Sequence, residues 1–241
     1  ARKVFEDYCR DSNILAEFIR FNPLYKNHEL CLDMGIVKAN TNIIVDLNMK
    51  DIHMNSYEHS TRKNIKKAER SNLVAEIINP AEISEKQLQD FHFIYSRTMT
   101  RNSADGKYFH PLDYFKRVKR LIPNNSFFIF IYKGKIPVSA ELVLFNDYAG
   151  YSFLGGTLPE YFEFRPNDFL KHNVINSLKE RGLSYFCLGG GNKMNDGIFK
   201  YKRSFAKNDS NIHDFFIGKR IYNETPFSSI IEQWKMMFPA N

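Results

Sequence analysis

The sequence lacks most of the signatures by which a chain of this size declares its chemistry. Three cysteines, Cys9, Cys31 and Cys187, stand far apart in apolar surroundings, and no CxxC pair occurs. Wide spacing and an odd count argue against a disulfide scaffold and for buried thiols in a reducing, cytoplasmic compartment. No apolar run approaches the ~18 residues that a membrane-spanning helix needs. The opening "ARKVFEDYCR" has no apolar stretch of a secretory signal. It also lacks an initiator methionine and begins inside an amphipathic pattern, so further sequence is expected upstream. The seven histidines show neither HExxH nor paired metal-ligand spacing, and no metal is expected. The glycines of "GGGNKMNDG" are not followed by Gly-Lys-Ser/Thr, no GxGxxG opens a helix after the first strand, and GxSxG is absent. A P-loop, a dinucleotide site and a nucleophile elbow are therefore unsupported.

What is present is apolar, aromatic and basic. Hydrophobic residues make up 43% and aromatics 15% of 241 residues, enough for a large core. Lys and Arg number 34 against 27 Asp and Glu, a formal +7, which favours an anionic partner. "VFEDYCRDSNILAEFIRF" reads as a helix running into a strand, and "NIIVDLN" as a second strand. "SYEHSTRKNIKKAERSN" reads as a helix with Ser56 as its N-cap and Asn72 as its close. Arg62, Lys63, Lys66, Lys67 and Arg70 recur at three- and four-residue intervals on it, forming either a cationic binding face or a solvated one.

From Leu73 a fresh pattern begins. A strand "LVAEIIN" leads to a helix capped by Ser84 and a second helix after Pro111. Three strands follow, turning at Lys133–Gly134 and Asn146–Asp147, then a helix ended by Gly182. The strand "LSYFCLGGG", the short helix "DGIFKYKRSF", the strand "IHDFFIGKRIYN" and a terminal helix complete the chain. The order β-α-α-β-β-β-α-β-α-β is mixed α/β and resembles the GCN5-related acyltransferase fold. Coenzyme A-dependent members of that fold hold a pyrophosphate on a glycine-rich loop before the helix that follows their fourth strand. Here that place reads "GGTLPEYFEFRPNDFL", with Glu160, Glu163, Pro166 and Asp168. Proline donates no N–H and carboxylates repel phosphate, so no coenzyme A and no other cofactor is expected.

Five stretches in order, "EFIRFNPL" (17–24), "STRKNIKKAERS" (60–71), "YSRTMTRNSADGKYF" (95–109), "LGGTLPEYFEFRPNDFLKHNVI" (154–175) and "LGGGNKMNDGIFKYKRSFAKN" (188–208), resemble the FemA/FemB/FemX family. That family comprises aminoacyl-tRNA-dependent peptidyltransferases that build peptidoglycan cross-bridges. The resemblance implies two tandem acyltransferase-like units: a partial first unit over residues 1–72, a complete second over 73–223, and a helix at 224–241 packing back on the first. It implies aminoacyl-tRNA as donor and an anionic cell-wall precursor as acceptor. A lipid-linked acceptor would bring the chain to the inner face of the membrane. Tyr201 and Lys202 match the family's aromatic-Lys pair, placed at the acceptor stem of the tRNA and the transfer reaction. Arg101 matches an arginine that holds the phosphorylated acceptor, at the mouth of the cleft between units.

Other site residues follow from the sequence directly. Gly189, Gly190 and Gly191 let backbone approach a substrate channel without side-chain obstruction. Lys200 lies beside the pair, and Arg62 and Lys66 stand on the cationic helix. Arg20 interrupts an apolar strand and should meet a carboxylate or a ligand, and Tyr151 stands on a central strand where it would face substrate or pack. Two rival readings remain open: an acyl-thioester donor used to N-acylate an amino sugar, and a non-catalytic RNA-binding module.

Overall fold

The uninterrupted run "FFIFI", residues 127–131, belongs to a strand buried on both faces. In the computed structural model, which describes residues 2–31, 33–191 and 195–239, Phe127, Ile129 and Ile131 enter one core and Phe128 and Phe130 another. Side chains alternate across a strand, so a covered central strand needs apolar residues at every position.

The elements run α1 (Arg2–Asp11), β1 (Ala16–Arg20), β2 (Gly35–Asp46), α2 (Ile52–Asn55), α3 (His59–Arg70), β3 (Leu73–Ile78), α4 (Glu85–Arg101) and α5 (Leu112–Leu121). Then come β4 (Ser126–Lys133), β5 (Ile136–Phe145), β6 (Ala149–Thr157), α6 (Pro166–Glu180), β7 (Tyr185–Gly189), α7 (Gly197–Arg203), β8 (Ile212–Ile221) and α8 (Glu224–Met237). Two compact units result: residues 1–42 with 213–241, and residues 43–212. These compact units divide at 42/43 and 212/213, whereas the sequence-based division into acyltransferase-like units falls at 72 and 223. The reason lies in α3, whose Thr61, Ile65 and Ala68 are buried, with Ile65 and Ala68 in the core of the second unit. No helix among the described residues is long and apolar enough to cross a membrane.

In the first unit β1 pairs antiparallel with β8, from Ala16↔Ile221 to Arg20↔Ile217. Arg220 bonds Glu6 and, at 2.5 Å, Asp33, which holds the Asp33 carboxyl below its ordinary range. Such partly exposed pairs set geometry more than stability.

The second unit holds the fold's main sheet, in the order β2–β7–β6–β5–β4–β3 and antiparallel except for β6 against β7. One face is covered by α3 and α6, the other by α4 and α5. Helix α4 opens with a capping box between Ser84 and Gln87, as the sequence pattern anticipates. Ser56, in contrast, is not the N-cap of α3. It ends the short helix α2, and its hydroxyl donates to the Phe205 carbonyl at 2.8 Å, while Glu58 precedes α3.

Two features open the sheet. The parallel β6–β7 pairing covers only Ala149↔Tyr185, Gly150↔Phe186 and Tyr151↔Cys187, although β6 continues to Thr157. Just beyond the last rung, the β5 register passes from Leu142↔Leu154 to Val143↔Ser152, leaving Phe153 as an extra residue. A bulge of this kind bends its strand and increases the local twist. β6 thus leaves β7, and the gap between them becomes the floor of a cavity.

Candidate active site

The cavity lies entirely among residues of the second unit and encloses about 700 Å³. β6 contributes Ser152 to Thr157, α4 contributes Arg101, α6 contributes Lys171, and the segment around α7 contributes Gly190, Tyr201 and Lys202. Close packing sets the β6 wall. A Cβ on Gly156 would stand 2.1 Å from the Thr98 hydroxyl oxygen, and one on Gly155 2.5 Å from the Ala140 carbonyl oxygen. With glycine there, Thr98 of α4 reaches the strand and accepts the Thr157 N–H at 3.2 Å.

Helix α7 is short, and its placement depends on neighbours rather than on its own propensity. Asp196 caps it by accepting the Phe199 N–H at 2.7 Å. At its other end the Ser204 carbonyl accepts from the Glu58 N–H at 2.8 Å and the Thr61 hydroxyl at 3.2 Å, tying α7 to the start of α3. Phe199 and Phe205 are buried in the core, as their spacing suggests. This anchoring turns Tyr201 and Lys202 toward the cavity.

Lys202 donates from Nζ to the Gly190 carbonyl at 2.7 Å. Burial, aided by the nearby charge of Lys171, brings its ammonium down from the ordinary 10.5 to about 8. Tyr201 donates to the Asn167 carbonyl at 3.1 Å, and burial raises its phenol well above the ordinary range. It therefore remains a neutral donor. Arg101 donates to the Thr157 carbonyl at 2.8 Å and lies 4.9 Å over the Phe162 ring. Gly189 has φ +75°, a left-handed turn that ends β7 and aims the following carbonyl at Lys202.

Of the residues singled out from sequence, Lys202, Tyr201, Arg101 and Gly190 line one cavity. Gly189 adjoins it, where a Cβ would stand 3.3 Å from Lys202 Nζ, and Gly191 follows the lining glycine. The others stand elsewhere. Lys200 is exposed on the outer side of α7, because the lining partners Tyr201 and Lys202 take the inner side. Tyr151 occupies the last β6–β7 rung, one residue short of the lining. Arg20 meets an aromatic face rather than an acid: its guanidinium lies 5.1 Å over Phe215 in the first unit. Arg62 spends its guanidinium on the Tyr57 carbonyl at 2.7 Å, whereas Lys66 is exposed on α3. Cys187 is buried and its thiol pushed up, which disfavours the thiolate a nucleophile requires.

Among the lining residues that sequence reasoning missed, three are joined by hydrogen bonds. Glu141 on β5, Ser152 on β6 and Lys171 on α6 form a bonded cluster in the cavity wall. Lys171 Nζ donates to Glu141 Oε1 at 2.5 Å and to Ser152 Oγ at 2.7 Å, and Ser152 Oγ donates to the same Glu141 oxygen. A signal existed: Glu141 is an isolated charge inside the apolar strand "IPVSAELVLF", which demands a partner.

At the start of α6 one donor is missing and one carboxylate is buried. Pro166 occupies its first turn, and Phe169 N–H bonds the Arg165 carbonyl. Asp168 is buried there, accepts from Asn64 Nδ2 at 3.2 Å, and has its carboxyl raised by burial.

A family model described as an acetyltransferase (GNAT) domain matches residues 59–203, more than half of the chain. The fold is similar to that of FemX, with a TM-score of 0.71 at 12% identity over 96% of this chain and 78% of that one. It is also similar to L-PGS from Bacillus licheniformis, with a TM-score of 0.64 at 14% identity over 95% and 75% of the two chains. The C-terminal domain of a putative lysylphosphatidylglycerol synthetase from Agrobacterium fabrum follows, with a TM-score of 0.62 at 12% identity over 96% and 75%. No curated protein sequence matches significantly. With the splayed parallel strands, the cavity between them and a matching domain model across both, the chain belongs to the acetyltransferase (GNAT) domain family and carries a FemX-like fold.

Proposed function

We propose that the chain is a FemA/FemB-type transferase that joins an aminoacyl group to an amine of a peptidoglycan precursor. The donor is aminoacyl-tRNA and the acceptor is anionic. One observation carries this reading: Lys202, the lysine of the aromatic-Lys pair, hangs by Gly190 over a cavity also lined by Arg101 and Lys171. A neutral amine attacks the ester carbonyl, negative charge develops on oxygen, and the Lys202 ammonium is the donor that meets it. Tyr201 provides an aromatic face beside it, and Arg101 supplies a fork suited to phosphate. The enzyme's other contribution is to hold donor and acceptor together.

The family match keeps one rival in play, an acyl-coenzyme A donor used on a small amine. The start of α6 weighs against it. Pro166 and the buried Asp168 stand where a pyrophosphate would need free N–H groups.

Transfer from aminoacyl-tRNA to a panel of amino-bearing cell-wall precursors tests the reading directly. Amide formation with at least one precursor is expected. Its absence throughout, together with turnover of acetyl-coenzyme A, would favour the rival.

A further inference from the structure

The cluster of Glu141, Ser152 and Lys171 lines the same cavity as Lys202. Glu141 is 4% exposed and Lys171 6%. An ion pair held this deep contributes little net stability, because desolvating both charges offsets their attraction, and apolar residues would fill the same space as well. Stability alone therefore does not explain it. Its position is also specific: Ser152 is the first β6 residue beyond the last rung with β7, at the bulge that opens the cavity.

The chemistry of the lining narrows the role. Among the described residues around the cavity, Glu141 is the one carboxylate, against Arg101, Lys171 and Lys202. An amine that attacks a carbonyl must give up a proton, and neither a guanidinium nor an ammonium accepts one. Ser152 is connected for relay. Its hydroxyl donates to Glu141 and accepts from Lys171, which leaves a lone pair free to accept an amine N–H.

Resting on the transferase reading above, we propose that Ser152 and Glu141, held in place by Lys171, take the proton from the attacking amine. The neutral amine forms the new C–N bond. One of its N–H protons passes to Ser152 Oγ as the Ser152 hydroxyl proton passes to the Glu141 carboxylate. The C–O bond to the tRNA ribose then breaks, and the leaving oxygen takes a proton from the Lys202 ammonium. Glu141 afterwards releases a proton to solvent and Lys202 regains one, so the net products are an amide and an alcohol.

The test is transfer kinetics with aminoacyl-tRNA and an amino-bearing peptidoglycan precursor, measured across pH. Glu141 is faced by Lys171 from α6 and by Tyr201 and Lys202 from α7, and all three must be retained in the variants. Glu141→Gln is expected to lower kcat roughly 100- to 10,000-fold with little change in either KM, the range for a lost general base. Because this variant leaves Lys171 buried without its counter-charge, Ser152→Ala serves as the second variant, keeping the ion pair and lowering kcat at least about tenfold. A wild type that transfers, with Ser152→Ala equally fast, overturns the relay alone. A wild type that transfers nothing overturns the transferase reading and the relay with it.

Discussion

Lys202 sits where its charge is costly, and that cost sets a pH dependence. Burial and the neighbouring Lys171 lower its ammonium from 10.5 to about 8. If the ammonium meets developing charge on the ester, transfer falls as pH rises through about 8, because the proton-bearing form is lost. Lys202→Arg is expected to remove this alkaline decline while restoring only part of the rate, since a planar fork replaces a compact ammonium. Lys202→Ala should lower kcat roughly ten- to hundredfold, the equivalent of one charge-assisted hydrogen bond of about 1.5–3 kcal/mol expressed in the transition state. Exposed Lys200 is the control, and Lys200→Ala should leave the rate near wild type. Full activity in Lys202→Ala at normal thermal stability would remove the residue from the site. The pair itself was legible from residues, because its two members are contiguous in sequence. Lys171 was not, since "DFLKHNV" reads like any helix with one polar-face lysine until Glu141 and Ser152 are brought to it.

At the scale of elements, α3 has two faces with different work. Thr61, Ile65 and Ala68 are buried, and Arg62 braces the turn before the helix by bonding the Tyr57 carbonyl. Lys63, Lys66, Lys67 and Arg70 remain exposed. Lys63→Glu with Lys66→Glu is therefore expected to weaken tRNA binding without unfolding the helix. The salt dependence of binding should flatten by about one unit of slope for each phosphate that is no longer neutralised. Equal affinity and slope at low salt would leave this face merely solvated. The packing of α4 on β6 makes a structural prediction. In Gly156→Ala the new Cβ would overlap the Thr98 hydroxyl, so helix and strand must part. A decrease of about 1–3 kcal/mol in stability to urea is expected. Unchanged stability would show that the wall of the cavity yields.

For the whole molecule, the net charge of +7 favours anions in general, while the start of α6 weighs against one of them. Calorimetry with acetyl-coenzyme A is expected to detect no binding in the micromolar range, because Pro166 has no N–H to offer and the buried Asp168 would repel a pyrophosphate. A micromolar dissociation constant would promote the acyl-thioester reading. The division of the molecule was the part of the architecture least readable from sequence. Residue 72 looked like a boundary because a charged helix ends there and an apolar strand begins. In the folded chain that helix contributes Ile65 and Ala68 to the second unit's core, so the division falls earlier.

The sequence by itself determined the order of helices and strands from Leu73 onward, since periods of 2 and 3.6 residues are local properties of the chain. It also determined the family resemblance and the position of the Tyr201–Lys202 pair. Only the tertiary structure decided which charges share a cavity. Glu141, Ser152 and Lys171 lie on three elements with no common periodicity, and Arg20, equally conspicuous in its strand, turned out to rest on Phe215. A charge buried among apolar residues announces that it has a partner, but the partner's identity depends on strand register, on a one-residue bulge and on where two parallel strands stop pairing. Those are long-range geometric outcomes, and no local pattern encodes them.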